Sequence, residues 1–229
     1  LLPDIPNMEA LVKRAYTGKF ETEDLTPTVP VGDFQVLELF RGPTSAFKDV
    51  ALSMLPQLLT AAKQEKGIAQ EIRILTATSG DTGKAALVGF QDVPGVSICV
   101  FYPFGGVSQV QRAQMVTQEG ENVDVRAVIG NFDDAQAGVK RIFSDEAVRA
   151  ELDKRGYFLS SANSINWGRI LPQVVYYISA YCDLVRDGAL TMGDKVNFCV
   201  PTGNFGDILA AYYAKRMGLP VNRLICASN

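Results

Sequence analysis

Three turns in this 229-residue chain set glycine beside hydroxyl, amide or carboxylate side chains, each between an apolar run and a helical pattern. Backbone N–H groups and a positive helix end at such a turn can hold an anion. The first turn is Pro201, Thr202, Gly203, Asn204, Phe205, Gly206 and Asp207. Gly203 and Gly206 permit a tight path and the close approach of a phosphate, while Thr202 or Asp207 can cap the helix. On the residues alone, an anion site and a turn shaped only by packing are equal readings. The second turn, Thr78, Ser79, Gly80, Asp81, Thr82, Gly83 and Lys84, fails as a nucleotide P-loop. Thr78 stands at the first glycine position and Ala85 where Ser or Thr must follow the lysine, so ATPase chemistry is excluded. The Ser79 and Thr82 hydroxyls suit a carboxylate, or Ser79 or Asp81 simply caps a helix. Lys84 is expected to be solvated. The third turn, Gly130, Asn131, Phe132, Asp133 and Asp134, places two carboxylates at a helix start, which repel phosphate, and reads as a structural N-cap.

The chain contains no histidine. That removes Ser-His-Asp and Cys-His catalysis and the commonest zinc and iron ligand sets, leaving acid–base chemistry to carboxylates, Lys, Tyr, Cys or a cofactor. Cys99, Cys182, Cys199 and Cys226 are widely spaced without a C-x-x-C pair. They read as buried thiols in a reducing cytoplasm rather than as metal ligands. With 47% hydrophobic and 21% charged residues and a net charge of −3, the composition is globular, and it offers no basic face for nucleic acid. No apolar run is long enough to span a membrane, and no signal-like segment opens the chain. A small-molecule partner is the expectation; the oligomeric state is left open.

These turns require rigid elements around them. From residue 72 onward, β-rich runs (72–78, 97–102, 123–129, 157–160, 196–200 and 223–227) alternate with helical patterns (81–90, 108–119, 133–149, 168–186 and 207–217), which argues for a parallel α/β sheet. The run Val196, Phe198, Cys199, Val200 suggests a strand covered on both faces. Residues 1–40, rich in proline, read as a lead-in ending in an apolar strand over 34–40. A helix is expected over 46–63, with Pro56 kinking it or splitting it in two. The division expected is 1–70 as an N-terminal segment with a lysine-bearing helix, 71–155 as a small α/β lobe and 156–229 as the start of a larger one. Both ends look cut, so a piece of a longer protein is expected.

The run Leu39, Phe40, Arg41, Gly42, Pro43, Thr44, Ser45, Ala46, Phe47, Lys48, Asp49 resembles the lysine motif of threonine synthases, close to L-F-x-G-P-T-x-A-F-K-D. In isolation, a lysine in a first helical turn is a surface residue. Three further family-like motifs follow in order: Ser79 to Gly83; Asn163, Ser164, Ile165, Asn166, Trp167, Gly168, Arg169; and Gly203 to Asp207. The resemblance implies the two-lobed, parallel-sheet α/β fold of pyridoxal-phosphate (PLP) enzymes related to the tryptophan synthase β subunit (fold type II). It makes Lys48 the lysine that carries PLP as a Schiff base, with the amides of Gly203, Asn204, Phe205, Gly206 and Asp207 around the PLP phosphate. Asp81 falls near the PLP ring hydroxyl, and Ser79, Gly80, Thr82 and Gly83 at the substrate carboxylate. Asn163, Ser164, Asn166 and Arg169 either form a polar turn capped by Asn163 or Ser164, or receive the substrate phosphate, with Arg169 suited to bidentate contact.

By the same resemblance, the reaction is conversion of O-phosphohomoserine and water to threonine and phosphate, with Lys48 moving protons in turn. A Ser or Thr expected against the pyridine nitrogen belongs to a later part of such chains. A lyase releasing a keto acid from the same type of substrate, and an inactive PLP-binding module, are the alternatives.

Overall fold

The computed structural model describes residue 5 and residues 7–228. The first elements are helix α1 (Met8–Tyr16), a hairpin of β1 (Thr28–Val31) and β2 (Phe34–Leu37), and helix α2 (Lys48–Glu65). There follow β3 (Glu71–Ala77), α3 (Asp81–Phe90), β4 (Val96–Pro103), α4 (Gln109–Val116), β5 (Val123–Val128), α5 (Phe132–Ser144), α6 (Glu146–Lys154) and β6 (Tyr157–Ser160). The chain continues with α7 (Trp167–Arg186), β7 (Val196–Pro201), α8 (Gly206–Arg216) and β8 (Val221–Ala227). One parallel sheet has the order β5-β4-β3-β6, and β7 and β8 form a second parallel pair. No helix among the described residues is long and apolar enough to cross a membrane.

The four-stranded sheet is covered on both sides because its central strands are apolar on both faces. Ile72, Ile74, Ile98 and Val100 pack with Leu52, Leu55, Ala86, Leu87 and Phe90 of α2 and α3. Leu75, Ala77 and Cys99 point the other way, onto Ala135 and Val139 of α5. A second core gathers Val50 with Ile170, Val174 and Tyr177 of α7, Val200 of β7, and Ala210, Ala211 and Ala214 of α8. Met54 and Leu58 meet Leu11 and Ala15 of α1. Helix α2 thus serves three packing surfaces, which is why residues 49–56 are all buried.

Several expectations are corrected. The helix with Pro56 is one continuous element rather than two shorter helices. Pro56 lacks an N–H for the Leu52 carbonyl, and α3 approaches closely there: a Cβ on Gly89 would lie 2.2 Å from the Leu52 oxygen. The lead-in contains α1, whose Leu11 and Ala15 supply a narrow apolar stripe, and the strand expected over 34–40 is half of a hairpin turned at Gly32 (φ 57). The helix expected over 133–149 breaks at Asp145, whose carboxylate accepts from Ala147 N (2.9 Å) and Val148 N (3.0 Å). Strand β6, expected to open the larger lobe, pairs with β3 in the first sheet. In β7 of this chain Val200 is buried, while Val196 and Phe198 are half-buried. Of the four thiols Cys99 is buried, while Cys182, Cys199 and Cys226 are exposed.

The contact at Gly89 is between two backbones and cannot be relieved by a rotamer change. Gly89→Ala should lower stability by about 1–3 kcal/mol despite alanine's better helix propensity. An unchanged urea midpoint would show that α2 and α3 separate without cost.

Candidate active site

The loop ahead of α2 is folded onto Asp49. Its buried carboxylate accepts from Thr44 N at 2.8 Å and Thr44 Oγ1 at 2.5 Å, and the Gly42 backbone lies so close that a Cβ there would sit 2.5 Å from the Asp49 Cβ. This anchoring fixes Lys48, the first residue of α2, at the mouth between the two cores. Its side chain is 17% exposed, and the amine lies 4.2 Å from the Phe47 ring centroid and 3.6 Å from Asp81 Oδ2. Burial lowers the amine's pKa below the ordinary lysine value, Asp81 opposes that shift, and Arg169 adds to it.

Across the pocket lies the start of α8. Phe205 at the N-cap offers no side chain to the first amides, and a Cβ on Gly203 would meet nothing within 4 Å. Thr202 does not cap: its hydroxyl donates to Val200 O at 2.8 Å. Asp207 would repel an anion here, but its buried carboxylate accepts from Tyr176 Oη (2.5 Å) and Tyr177 Oη (2.6 Å). Both tyrosines escaped the sequence reading, as they lie on α7, about thirty residues away in sequence.

Arg169, in the first turn of α7, is 4% exposed. Nη1 donates to Ala162 O at 2.6 Å, Nε has no partner, and burial pushes the guanidinium down to about 10. An almost dry cation with an unsatisfied donor is unusual. The asparagines of the same segment bond to backbone. Asn163 bridges the Ala77 backbone, accepting from N at 3.3 Å and donating to O at 2.9 Å. Asn166, rather than Asn163 or Ser164, caps α7 by accepting from Gly168 N at 3.0 Å.

The loop after β3 is organised by Thr78, which sequence reading passed over for Ser79 and Asp81. Its buried hydroxyl accepts from Gly80 N (3.0 Å) and Gly83 N (2.9 Å). Ser79 is exposed and caps nothing; Lys84 is partly buried and donates to Gln118 Oε1 at 2.6 Å, so it is not freely solvated. In the third turn Asn131 is the N-cap of α5, in agreement with the structural cap expected there, and it forms a capping box with Asp134. One pocket therefore brings together Lys48, Thr82, Asn163, Ser164, Arg169, Asn204, Gly206 and Asp207, with Phe47 and Gln173. Asp81 reaches it through Lys48. Ser79, Gly80, Gly83, Asn166, Gly203 and Phe205 do not line its wall. A roomier hollow between α1, α2 and α7 is lined chiefly by apolar side chains such as Met8, Val12 and Leu171 and offers no amine or guanidinium.

Because the neutral amine is the nucleophile, a lowered pKa raises its share at pH 7–8. The pH profile of Lys48 modification by an amine reagent should have its midpoint below that of a free lysine side chain. A midpoint at or above the free value would contradict the burial described.

No family model matches the chain. Human threonine synthase-like 1 is 44% identical over 235 residues, covering 99% of this chain and 31% of the relative. Threonine synthase of Pseudomonas aeruginosa is 47% identical over 201 residues, covering 86% and 40%. The crystal structure of PLP-bound threonine synthase from Brucella melitensis superimposes with a TM-score of 0.83 at 43% identity, covering 98% of this chain and 46% of that one. The chain thus spans between about a third and a half of the length of these relatives. Likeness over nearly the whole chain, in sequence and in fold, joins four motifs that resemble those of threonine synthases, and the chain shares the fold of the matching part of these PLP enzymes.

Proposed function

We propose that the protein containing this chain is a PLP-dependent threonine synthase that converts O-phosphohomoserine and water to threonine and phosphate. The observation that carries the reading is the meeting, in one pocket, of a buried amine of lowered pKa, an uncapped helix start and a buried guanidinium with a free donor. The relatives named threonine synthase support it.

The residues fit PLP. Open space at Gly203 and the uncapped amides of α8 suit its phosphate, and Lys48 suits its aldehyde carbon. When bound, PLP supplies the electron withdrawal that allows protons to leave carbons near the substrate's amino group. The chain's own residues do the rest. Tyr176 and Tyr177 hold the Asp207 carboxylate back from the phosphate amides. Asp81 faces Lys48, and of the loop after β3 it is Thr82, on the pocket wall, that would meet the substrate carboxylate, Ser79, Gly80 and Gly83 lying off that wall with the Gly80 and Gly83 amides donating to Thr78. Arg169, steadied by Ala162 O, turns its remaining donors to the substrate phosphate together with Ser164. Asn163 and Asn166 fix that wall through the backbone, and Asn163 also lines the pocket. The Lys48 amine would accept and return protons at Nζ, which its lowered pKa favours. The partner is a small molecule, and the free thiols fit a reducing compartment such as the cytoplasm.

A second reading is a lyase that releases phosphate and a keto acid from the same type of substrate, since the same motifs serve either outcome. Full-length protein supplied with O-phosphohomoserine should yield threonine and phosphate in equal amounts; phosphate with keto acid and no threonine would establish the lyase. Arg169→Lys, which keeps charge but loses the planar fork, should cut kcat/KM by roughly tenfold or more with PLP content unchanged, since a charge-assisted hydrogen bond contributes about 1.5–3 kcal/mol.

A further inference from the structure

Asp81 is the counter-charge of Lys48, yet its own side chain is 55% exposed. A carboxylate so placed, in a first helical turn, is free to swing into water, and a 3.6 Å attraction screened by solvent holds it weakly. A second tether is present. Gln111, in the first turn of α4, donates from Nε2 to Asp81 Oδ1 at 3.0 Å, leaving Oδ2 toward the Lys48 amine. The orientation of that amide is set from behind: its Oε1 accepts from Ser108 N at 3.2 Å, and Gln111 N donates to Ser108 Oγ at 3.1 Å. Since an N–H can meet only the oxygen, the amide nitrogen must face Asp81. The amide also occupies the space a side chain at residue 80 would need, for a Cβ on Gly80 (φ +149) would lie 2.3 Å from Gln111 Nε2.

We propose that Gln111 is a positioning residue for Lys48, acting through Asp81, which it holds so that one carboxylate oxygen stays on the amine. The same side chain completes the capping box of α4, so α4 and the lysine site are joined by one amide. The inference deepens the proposed function, on whose reading of Lys48 it rests. The charged groups acting on the amine are Asp81 from α3, Arg169 from α7 and Asp207 from α8, with Asp49 beside it on α2. Gln111 acts on the first of these alone.

The test measures the pH midpoint for modification of Lys48 by an amine reagent, followed on the Lys48 peptide by mass spectrometry, in cofactor-free full-length protein. Gln111→Met keeps the length and removes the donor. Asp81 then swings away, and the midpoint should fall by about half a pH unit or more, raising modification about threefold below the midpoint. Asp81→Asn should lower it as well, and adding Gln111→Met to Asp81→Asn should change nothing further, because the tether has lost its object. Ser108→Ala breaks the cap but leaves the Gln111 amide in place, so it should lower the thermal midpoint without moving the Lys48 profile. The proposal is overturned if Gln111→Met leaves the profile unmoved, if Ser108→Ala moves it equally, or if the double variant falls below Asp81→Asn alone. None of these readings depends on PLP or turnover, so they stand apart from the test of the proposed function.

Discussion

Everything asked of Lys48 depends on keeping an amine in a partly dry place, and the structure achieves this through the helix that carries it. Helix α2 is shared: Leu52 and Leu55 belong to the core of the four-stranded sheet, Val50 to the core beneath α7 and α8, and Met54 and Leu58 to the surface that meets α1. A helix held on three sides cannot rotate to carry its first residue into water without opening several packed surfaces at once. Asp49 reinforces this at the amine's own end by tying down the loop that would otherwise fray. The reactivity of one nitrogen is thus underwritten by apolar burial spread over about three turns of helix.

Burial of charge around that nitrogen is balanced group by group. Desolvation and Arg169 favour the neutral amine, and Asp81 favours the ammonium. Opposite it, a carboxylate sits one residue into the helix whose amides suit a phosphate, a placement that would defeat anion binding if Asp207 faced outward. Two tyrosine hydroxyls turn it inward, and burial beside that carboxylate keeps both phenols protonated, with pKa values raised well above the ordinary tyrosine value, so that they remain donors. The carboxylate at the start of α8 is thereby engaged by two phenols, while the first amides of that helix stay uncapped and the Arg169 guanidinium keeps an unpartnered Nε.

What could be read in the sequence was what is local in it. The strand–helix alternation beyond residue 71 was legible because period and composition change together there; α3 and β6 have the expected limits. The glycine turn at 203–207 and the lysine motif were legible as short runs. Long-range contacts were not: Tyr176 and Tyr177 meet Asp207 from another helix, and Gln111 meets Asp81 from thirty residues away. Proline misled twice, once by hiding α1 within a lead-in and once by suggesting a break at Pro56, where close packing of Gly89 against α2 accompanies an unbroken helix. Polar residues misled in the other direction. Asn163 and Asn166 carry the same donor and acceptor groups whether they bind substrate or backbone, and the backbone bonds they make could not be read from the sequence.

The central claim is that Lys48 is the amine that takes the cofactor. Full-length protein loaded with PLP should show the yellow absorbance of the Schiff base, and borohydride reduction followed by digestion should place the cofactor on the peptide containing Lys48, with Lys48→Ala leaving no reduced adduct. Attachment at any other lysine, or no attachment in a folded full-length protein, would contradict it.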